Sequence, residues 1–156
     1  METRTKTIIV RAADTFDIDQ VIALGRMMHQ ESPRFRNTDF DVEKCKRGLE
    51  ELVPEGSVFV AEMGEEMTGC LVGMLSTHYF GNTLQASDLM LYVKPQWRGS
   101  RSAYLLIKAF ERFARDSKAQ VVQLGISADI DCEKVRGFYE KMGYKVTGRL
   151  TVKEIT

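Results

Sequence analysis

The spacing of apolar residues along the first third of the chain predicts a strand, two helices and a loop between them. Residues 7–13 are rich in β-branched side chains, as is typical of a strand. Apolar residues then recur at steps of three and four after Asp17, which is placed to cap a helix. A polar loop at residues 29–41 separates this helix from a second one, which begins after Asp41 and ends before Pro54.

The middle of the chain has the pattern of a β-hairpin, a buried strand and a very regular helix. Two apolar runs surround Gly64, which predicts a hairpin turn at that glycine. The next strand, Ser87–Val93, is almost entirely apolar, which is typical of a central strand covered on both faces. The helix that follows repeats apolar side chains at helical spacing, at Ala103, Leu106, Ile107, Phe110, Phe113 and Ala114.

The last third predicts one more strand, one more helix and a closing edge. Val121–Ser127 has the apolar pattern of a buried strand, and the helix after it has Asp131 as a candidate cap and Gly143 at its end. Residues 144–155 predict one or two edge strands. The order β-α-α-β-β-β-α-β-α-β indicates a mixed α/β sheet carrying helices, and no linker divides residues 1–156, so we expect a single domain.

Composition and charge exclude several broad classes of protein. The 22 basic residues balance 22 acidic ones, so neither nucleic acid nor a membrane surface is an expected partner. The three cysteines, Cys45, Cys70 and Cys132, have neither the spacing of a disulfide framework nor that of a metal site. No apolar segment has the length of a signal-peptide core or a membrane span. We therefore expect a cytoplasmic protein without a bound metal.

A short turn rich in Arg, Gly and Ser joins the strand Ser87–Val93 to the regular helix. This turn, "RGSRS", gives the helix no acidic cap, although the unpaired N–H groups of a helix start favour negative charge. Gly99 lets the backbone approach a ligand closely, while Arg98 and Arg101 add positive charge that suits a phosphate. The same turn is also compatible with a solvated helix start that binds nothing.

Two segments resemble the motifs of the GCN5-related N-acetyltransferases. The segment "VKPQWRGSRSAYLLIKAF" resembles the acetyl-CoA-binding turn and helix of that family, with matches at Val93, Pro95, Arg98, Gly99 and Ala103. The segment "VRGFYEKMGY" resembles the second motif, at a helix end, with matches at Phe138, Tyr139, Glu140, Lys141, Gly143 and Tyr144. The motifs occur in the order that the family has, and the order of elements extends the resemblance over essentially the whole chain.

The resemblance implies both a fold and an activity. The implied fold is a mostly antiparallel twisted sheet of six to seven strands, with a splayed parallel pair at its centre and about four helices. The implied activity is direct transfer of an acetyl group from acetyl-CoA, the cosubstrate, to a primary amine of a small molecule or peptide. The resemblance assigns cofactor binding to Leu91, Tyr92, Val93, Arg98, Gly99, Ser100, Arg101, Ser102 and Ala103.

Two positions depart from the pattern of the family. Arg101 stands where the family has its middle glycine, which leaves the main-chain donors in place but crowds the turn. Cys132 stands where the family often has an asparagine, seven residues before Tyr139, so one side-chain contact to the cofactor is missing. These departures motivate an alternative, a regulatory module that binds acyl-CoA without turnover. A third hypothesis, a nucleic-acid-binding domain, is disfavoured by the zero net charge.

The resemblance assigns the general acid, and two residues are candidate bases. Tyr139 matches the position that gives a proton to the leaving thiolate, although it also fits a plain apolar helix stripe. The attacking amine has to lose a proton, because an alkylammonium has a pKa of about 10.4. Asp88 opens the strand Ser87–Val93, and His78 precedes it. Asp88 is equally compatible with a solubilising charge at a strand edge, and His78 with a structural residue.

The acceptor site is predicted on the loop between the first two helices. The resemblance assigns this loop to the acceptor, and it carries His29, Glu31, Arg34 and Arg36, with His78 as a further candidate. The arginines suit an amine that bears a carboxylate, whereas Glu31 suits a cationic amine, and a solvated loop is the alternative. Aromatic residues that can form a wall of the site or a homodimer contact are Tyr79, Phe80 and Trp97.

Overall fold

The computed structural model describes residues 7–155, which form a five-stranded sheet flanked by four helices. The strands are β1 (Ile8–Ala12), β2 (Val58–Met63), β3 (Glu66–Thr77), β4 (Leu84–Val93) and β5 (Val121–Gln123). The helices are α1 (Ile18–Glu31), α2 (Val42–Leu52), α3 (Ser102–Asp116) and α4 (Cys132–Lys141). Single 3-10 turns precede α1 and α3, at Thr15–Asp17 and Pro95–Trp97. None of these helices has the length and hydrophobicity needed to cross a bilayer.

The strands lie in the sheet in the same order as in the chain. Three antiparallel pairs join β1 to β2, β2 to β3 and β3 to β4, whereas β4 and β5 are parallel. A parallel pair needs a crossover connection, and α3 provides it. The predicted mostly antiparallel sheet with one parallel pair is therefore confirmed.

Helices cover both faces of the sheet. On one face α1 and α2 pack over a cluster of buried side chains that includes Leu24, Leu49 and Val60. On the other face α3 and α4 pack over a second cluster, with Phe110 fully buried and Tyr139 6% exposed. The apolar stripe that the sequence predicts for α3 is thus directed into the core, which fixes where this helix begins relative to β4.

β4 separates from β5 halfway along its length. The parallel ladder ends where Ser87 pairs with Gln123. Beyond that point the side chain of Asp88 accepts the hydrogen bond from the main-chain N–H of Gly125, at 2.8 Å. A bulge at Leu89 in the pairing of β4 with β3 changes the direction of the strand at the same place. The predicted splayed parallel pair is present, and the gap between its strands is open.

The sheet has five strands rather than the predicted six to seven, and the parallel pair lies at its edge instead of its centre. Residues 144–155 form no strand, and apolar side chains in this segment stay exposed, 70% for Leu150 and 66% for Val152. β5 ends at Gln123, before the predicted end at Ser127. An alternating pattern predicts that a segment is able to pair, but a strand also needs a partner backbone, which local sequence does not specify.

Asp17, Asp41 and Asp131 all occupy the predicted N-cap positions, but only the side chain of Asp41 makes a cap hydrogen bond. Asp41 accepts a hydrogen bond from the main chain of α2 at 3.0 Å, which confirms the predicted start of that helix. Asp17 does not cap α1, because its buried carboxylate is held by Arg11 at 2.7 and 2.9 Å; Asp14 caps the preceding 3-10 turn. Asp131 precedes α4 in the left-handed conformation, with φ of 46° and no cap bond from its side chain. Tertiary neighbours thus decide which acidic side chain caps a helix.

Candidate functional site

A cleft of about 450 Å³ lies between β4 and the segment that follows β5, where the two strands separate. One wall is the C-terminal half of β4, the other is residues 125–131 with the first turns of α4, and the start of α3 closes one end. Predicted site residues that line it are Asp88, Leu91, Tyr92, Val93, Arg98, Gly99, Ser100, Ala103 and Tyr139. Arg101 and Ser102 lie in the same turn but outside this lining.

The turn before α3 and the first residues of that helix leave several main-chain N–H groups without an acceptor among the described residues. Arg98 and Ser100 donate their N–H groups to carbonyl oxygens of the preceding 3-10 turn, at 3.3 and 3.1 Å. Ser102 donates its N–H to the hydroxyl of Ser100, at 3.3 Å. Four N–H groups in this stretch have no acceptor among the described residues, those of Gly99, Arg101, Ala103 and Tyr104. Unpaired donors at the positive end of a long helix suit an anion.

The turn is anchored on its outer side and open on its inner side. Ser102 is fully buried, and its hydroxyl lies 2.8 Å from that of Thr68 in β3, so its side chain holds the turn to the sheet. The indole of Trp97 donates to the carboxylate of Glu66 at 2.9 Å. Gly99 has φ of +87°, and a Cβ added there would meet nothing within 4 Å. The backbone conformation therefore requires glycine, while the space around it is free.

Both arginines of the turn contact protein groups. The guanidinium of Arg98 forms a bidentate pair with Glu31, at 2.5 and 2.8 Å, and its Nε donates to the carbonyl of Val93 at 3.1 Å. The hydroxyl of Tyr92 donates to the same carboxylate at 2.7 Å. The hydrogen bond from Arg98 lowers the pKa of Glu31, and burial together with Glu31 raises the pKa of Tyr92 to about 12. Arg101 lies over an aromatic ring of α3, 5.4 Å from its centre.

Two titratable side chains, Asp88 and Tyr139, lie on either side of Gly125 where the strands separate. Asp88 is half-buried, and burial raises its pKa from 3.8 to about 6 although Gly125 donates a hydrogen bond to it. Tyr139 of α4 is buried, and its hydroxyl lies 3.5 Å from the carbonyl oxygen of Gly125. Burial and then the charge of Asp88 raise the pKa of Tyr139, so this hydroxyl keeps its proton at neutral pH. The site therefore combines a proton acceptor with a proton donor.

The residues predicted for the acceptor occupy different places. His29 lies in the last turn of α1 rather than in the predicted loop, and its ring contacts the hydroxyl of Thr38 in the loop that follows, at 3.1 Å. Arg34 donates to the carbonyl of Ser127 at 2.9 Å, and Glu31 is held by β4 and the α3 turn as described. Arg36 is exposed, without a side-chain hydrogen bond in the part of the chain that the structure describes. His78 is exposed in the loop before β4, away from the α3 turn and outside the cleft lining. The structure thus brings Glu31 and Arg34, but not His78, to the edge of the cleft.

Sequence analysis missed most of the second wall. Residues 125–131 line the cleft, together with Met28 of α1 and Lys134 of α4. The sequence predicted a strand from Val121 to Ser127 that includes Gly125, whereas β5 ends at Gln123. The glycine within that apolar run was the available signal for an irregularity in the strand. No three His, Cys, Asp or Glu side chains within residues 7–155 come close enough together to hold a metal ion.

Comparisons with known proteins agree with this architecture. A family model described as Acetyltransferase (GNAT) domain matches residues 54–146, and a search of curated proteins found no match. Among solved structures, AAC(6')-Iy with the bisubstrate analogue CoA-S-monomethyl-acetylneamine has a TM-score of 0.75 at 12% identity, covering 96% of this chain and 99% of that one. The glucosamine-6-phosphate N-acetyltransferase from Arabidopsis thaliana has a TM-score of 0.70 at 17% identity, covering 97% and 100%.

A third similar structure, a putative acetyl transferase from Pyrococcus furiosus, has a TM-score of 0.69 at 20% identity and covers 96% of this chain and 100% of that one. At these identities the structural likeness supports the fold. The family model carries the assignment, because it spans more than half of the chain and includes β4, the turn before α3 and all of α4. The chain therefore belongs to the GNAT acetyltransferase family.

Proposed function

We propose that this protein transfers an acetyl group from acetyl-CoA directly to a primary amine, with both substrates bound at once. One observation carries the proposal: a single cleft has unpaired main-chain N–H groups at one end and the side chains of Asp88 and Tyr139 farther along. The N–H groups suit a diphosphate, and the two side chains suit proton transfer. Their presence in one cleft supports catalysis over binding alone.

The residues of the cleft fit acetyl-CoA, which supplies the acetyl group as a thioester. The N–H groups of Gly99, Arg101 and Ala103 would hold the diphosphate at the positive end of α3. The main chain of residues 91–93 would bind the pantetheine arm as an added strand. This edge of β4 is available because its ladder with β5 ends at Ser87.

Asp88 is the proposed general base. The ammonium form of a primary amine has a pKa of about 10.4 and cannot attack the thioester. With a pKa of about 6, the carboxylate of Asp88 is ionised at neutral pH yet more basic than an ordinary aspartate. It takes the proton from the amine, directly or through a water molecule, and the nitrogen then forms its bond to the acetyl carbon.

Tyr139 is the proposed general acid. As the bond between the acetyl carbon and sulfur breaks, the hydroxyl of Tyr139 donates its proton to the sulfur, which leaves as a thiol. Its raised pKa keeps the hydroxyl protonated before this step, and regaining the proton afterwards is favourable for the same reason. The carbonyl oxygen of Gly125, at 3.5 Å, orients the hydroxyl near Asp88.

The proposed acceptor is an amine-bearing small molecule or peptide. The similar structures include aminoglycoside and glucosamine-6-phosphate N-acetyltransferases, so amino sugars are the first compounds to test. Polyamines, amino acids and short peptides complete a panel that covers cationic, zwitterionic and acidic acceptors.

Calorimetry with acetyl-CoA and a thiol-release assay with the amine panel test the two halves of the proposal. We expect saturable binding of acetyl-CoA, and CoA release that depends on both protein and amine. Binding without release for every amine would instead favour the regulatory module that the Arg101 and Cys132 departures motivate. Absence of acetyl-CoA binding by the folded protein would refute the proposed function.

A further inference from the structure

The end of α1 is fixed to the β4 wall of the cleft. Glu31 accepts a hydrogen bond from Tyr92 and forms the bidentate pair with Arg98. Tyr92 is only 4% exposed, and the side chains of Arg98 and Glu31 are 30% and 29% exposed. Charge-assisted bidentate pairs are among the stronger hydrogen bonds in proteins. The end of α1 and the β4 wall are therefore expected to move together.

The next residues of the chain are fixed to the opposite wall. Ser32 is fully buried and donates its hydroxyl hydrogen to the carbonyl oxygen of Ala128. Arg34 donates to the carbonyl oxygen of Ser127 at 2.9 Å. The Ser32 oxygen also accepts from the main-chain N–H groups of Arg34 and Phe35, each at 3.2 Å, which holds the turn in shape. This turn is thus bonded to the segment that follows β5.

Few other hydrogen bonds join the two walls. The ladder of β4 and β5 ends at Ser87 and Gln123. Past it, the bond between Asp88 and Gly125 is the remaining direct link between these walls among the described residues. Gly125 lies near the apex of the gap, whereas residues 127–128 lie farther along the second wall. Without a second attachment there, this wall would be free to move away from β4.

We propose that residues 31–34 form a brace that sets the width of the cleft, with Glu31, Ser32 and Arg34 as positioning residues for the acyl donor. This assigns Glu31 and Arg34 a role other than acceptor binding. The donor's identity rests on the proposed function, whereas the brace is a property of the free protein. A cleft already held at its bound width loses less conformational freedom on binding, so the brace strengthens affinity for CoA.

A double-mutant cycle with CoA as the ligand tests the brace. Glu31→Ala removes the attachment to β4, and Ser32→Ala removes the buried attachment to the other wall. A brace released at either end no longer acts, so each variant is expected to raise the Kd for CoA about three- to tenfold and the double variant no further. Effects that multiply would mean two independent local contacts and would overturn the proposal.

Arg34 provides a second test with a side chain outside the core. If Ser32→Ala fails to fold, the same cycle is run with Arg34→Ala, which removes the bond to Ser127. Arg34→Lys retains a donor for that carbonyl and is expected to restore the affinity. Gln30→Ala, at an exposed position of the same helix turn, is the matched control and is expected to bind CoA like the wild type.

Hydrogen exchange in the absence of CoA separates the brace from the proposed function. Main-chain amides at residues 124–130 are expected to exchange faster in Glu31→Ala and Arg34→Ala than in the wild type or Gln30→Ala. If the wild type fails to bind CoA, the proposed function is wrong, and exchange still tests the brace. If the wild type binds CoA while both variants match it in affinity and exchange, the brace is wrong.

Discussion

Replacing Asp88 with Asn separates the proposed catalytic role of this residue from its effect on stability. Asn has the shape of Asp and keeps an oxygen that accepts from the N–H of Gly125, but it carries no charge. Burial raises the pKa of Asp88 from 3.8 to about 6, an interval that corresponds to about 3 kcal/mol. Because the side chain is not fully buried, solvent screening reduces the effect on stability to about 1–2 kcal/mol.

The direction in which Asp88 ionisation changes the unfolding free energy follows from proton linkage. The folded protein binds the Asp88 proton more tightly than the unfolded chain does, so ionisation destabilises the folded state. This contribution is absent below about pH 4, develops as the pH rises through about 6 and is constant above that. Asp88→Asn is therefore expected to exceed the wild type in unfolding free energy by about 1–2 kcal/mol at about pH 8, and to approach it at about pH 3.5.

Although Asp88→Asn is expected to be more stable than the wild type, its activity is expected to be lower. The variant lacks the base, so its kcat/KM falls about 100-fold or more, while the activity of the wild type rises with pH through about 6. Urea unfolding followed by circular dichroism at both pH values measures stability. The control Asp39→Asn, at an exposed loop position, is expected to stay within about 0.5 kcal/mol of the wild type.

Three outcomes would refute this reasoning. A variant less stable than the wild type at about pH 8 would mean that the Asp88 charge stabilises the fold. A difference in stability that is equal at both pH values would mean that it does not arise from ionisation. Unchanged turnover would exclude Asp88 as the base while leaving the stability argument intact.

Substitutions at three further residues test other parts of the structure. Tyr139→Phe is expected to lower kcat about tenfold or more with the Kd for CoA nearly unchanged, and equal turnover would exclude it as the acid. Gly99→Glu is expected to abolish CoA binding in calorimetry, whereas Gly99→Ala, which adds backbone strain at φ +87° but no charge, is expected to weaken it only modestly. Gly73→Ala would place its Cβ 2.3 and 2.6 Å from two ring atoms of Phe110, and urea unfolding is expected to show a loss of about 2–3 kcal/mol.

Local features of the sequence predicted the parts of the molecule that local physics determines. The apolar spacing around Phe110 gave α3, and the glycine and missing acidic cap before that helix gave the turn with unpaired N–H groups. Not every N–H group from Arg98 to Ala103 is free, although the family resemblance had led us to expect it. Those of Arg98 and Ser100 donate to carbonyl oxygens of the preceding 3-10 turn, and that of Ser102 donates to the hydroxyl of Ser100. The residues between Ser87 and Val93 were correctly predicted as a strand inside the sheet.

Features that depend on distant partners were not predictable in the same way. The pair of Arg98 with Glu31 joins residues 67 positions apart, so both side chains were predicted to bind ligands, and nothing local showed that they contact each other. The exposed position of Leu150 has the same origin, because a strand-forming pattern does not say whether a partner strand is available. The sequence was also compatible with Asp88 as a solubilising charge at a strand edge, whereas the structure places its side chain in the cleft against the N–H of Gly125.

The space in the cleft and the raised pKa of Asp88 have one structural cause. In a regular parallel ladder the N–H of Gly125 would bond to a main-chain carbonyl of β4. Here the Asp88 side chain accepts it, which ends the ladder, opens the gap that Tyr139 faces, and places a carboxylate where water has little access. The bulge at Leu89 then turns the rest of β4 toward the α3 turn. A single departure from regular sheet geometry thus accounts for both the open space in the cleft and the raised pKa of Asp88, the two features that the proposed function uses, so they are expected to be gained or lost together.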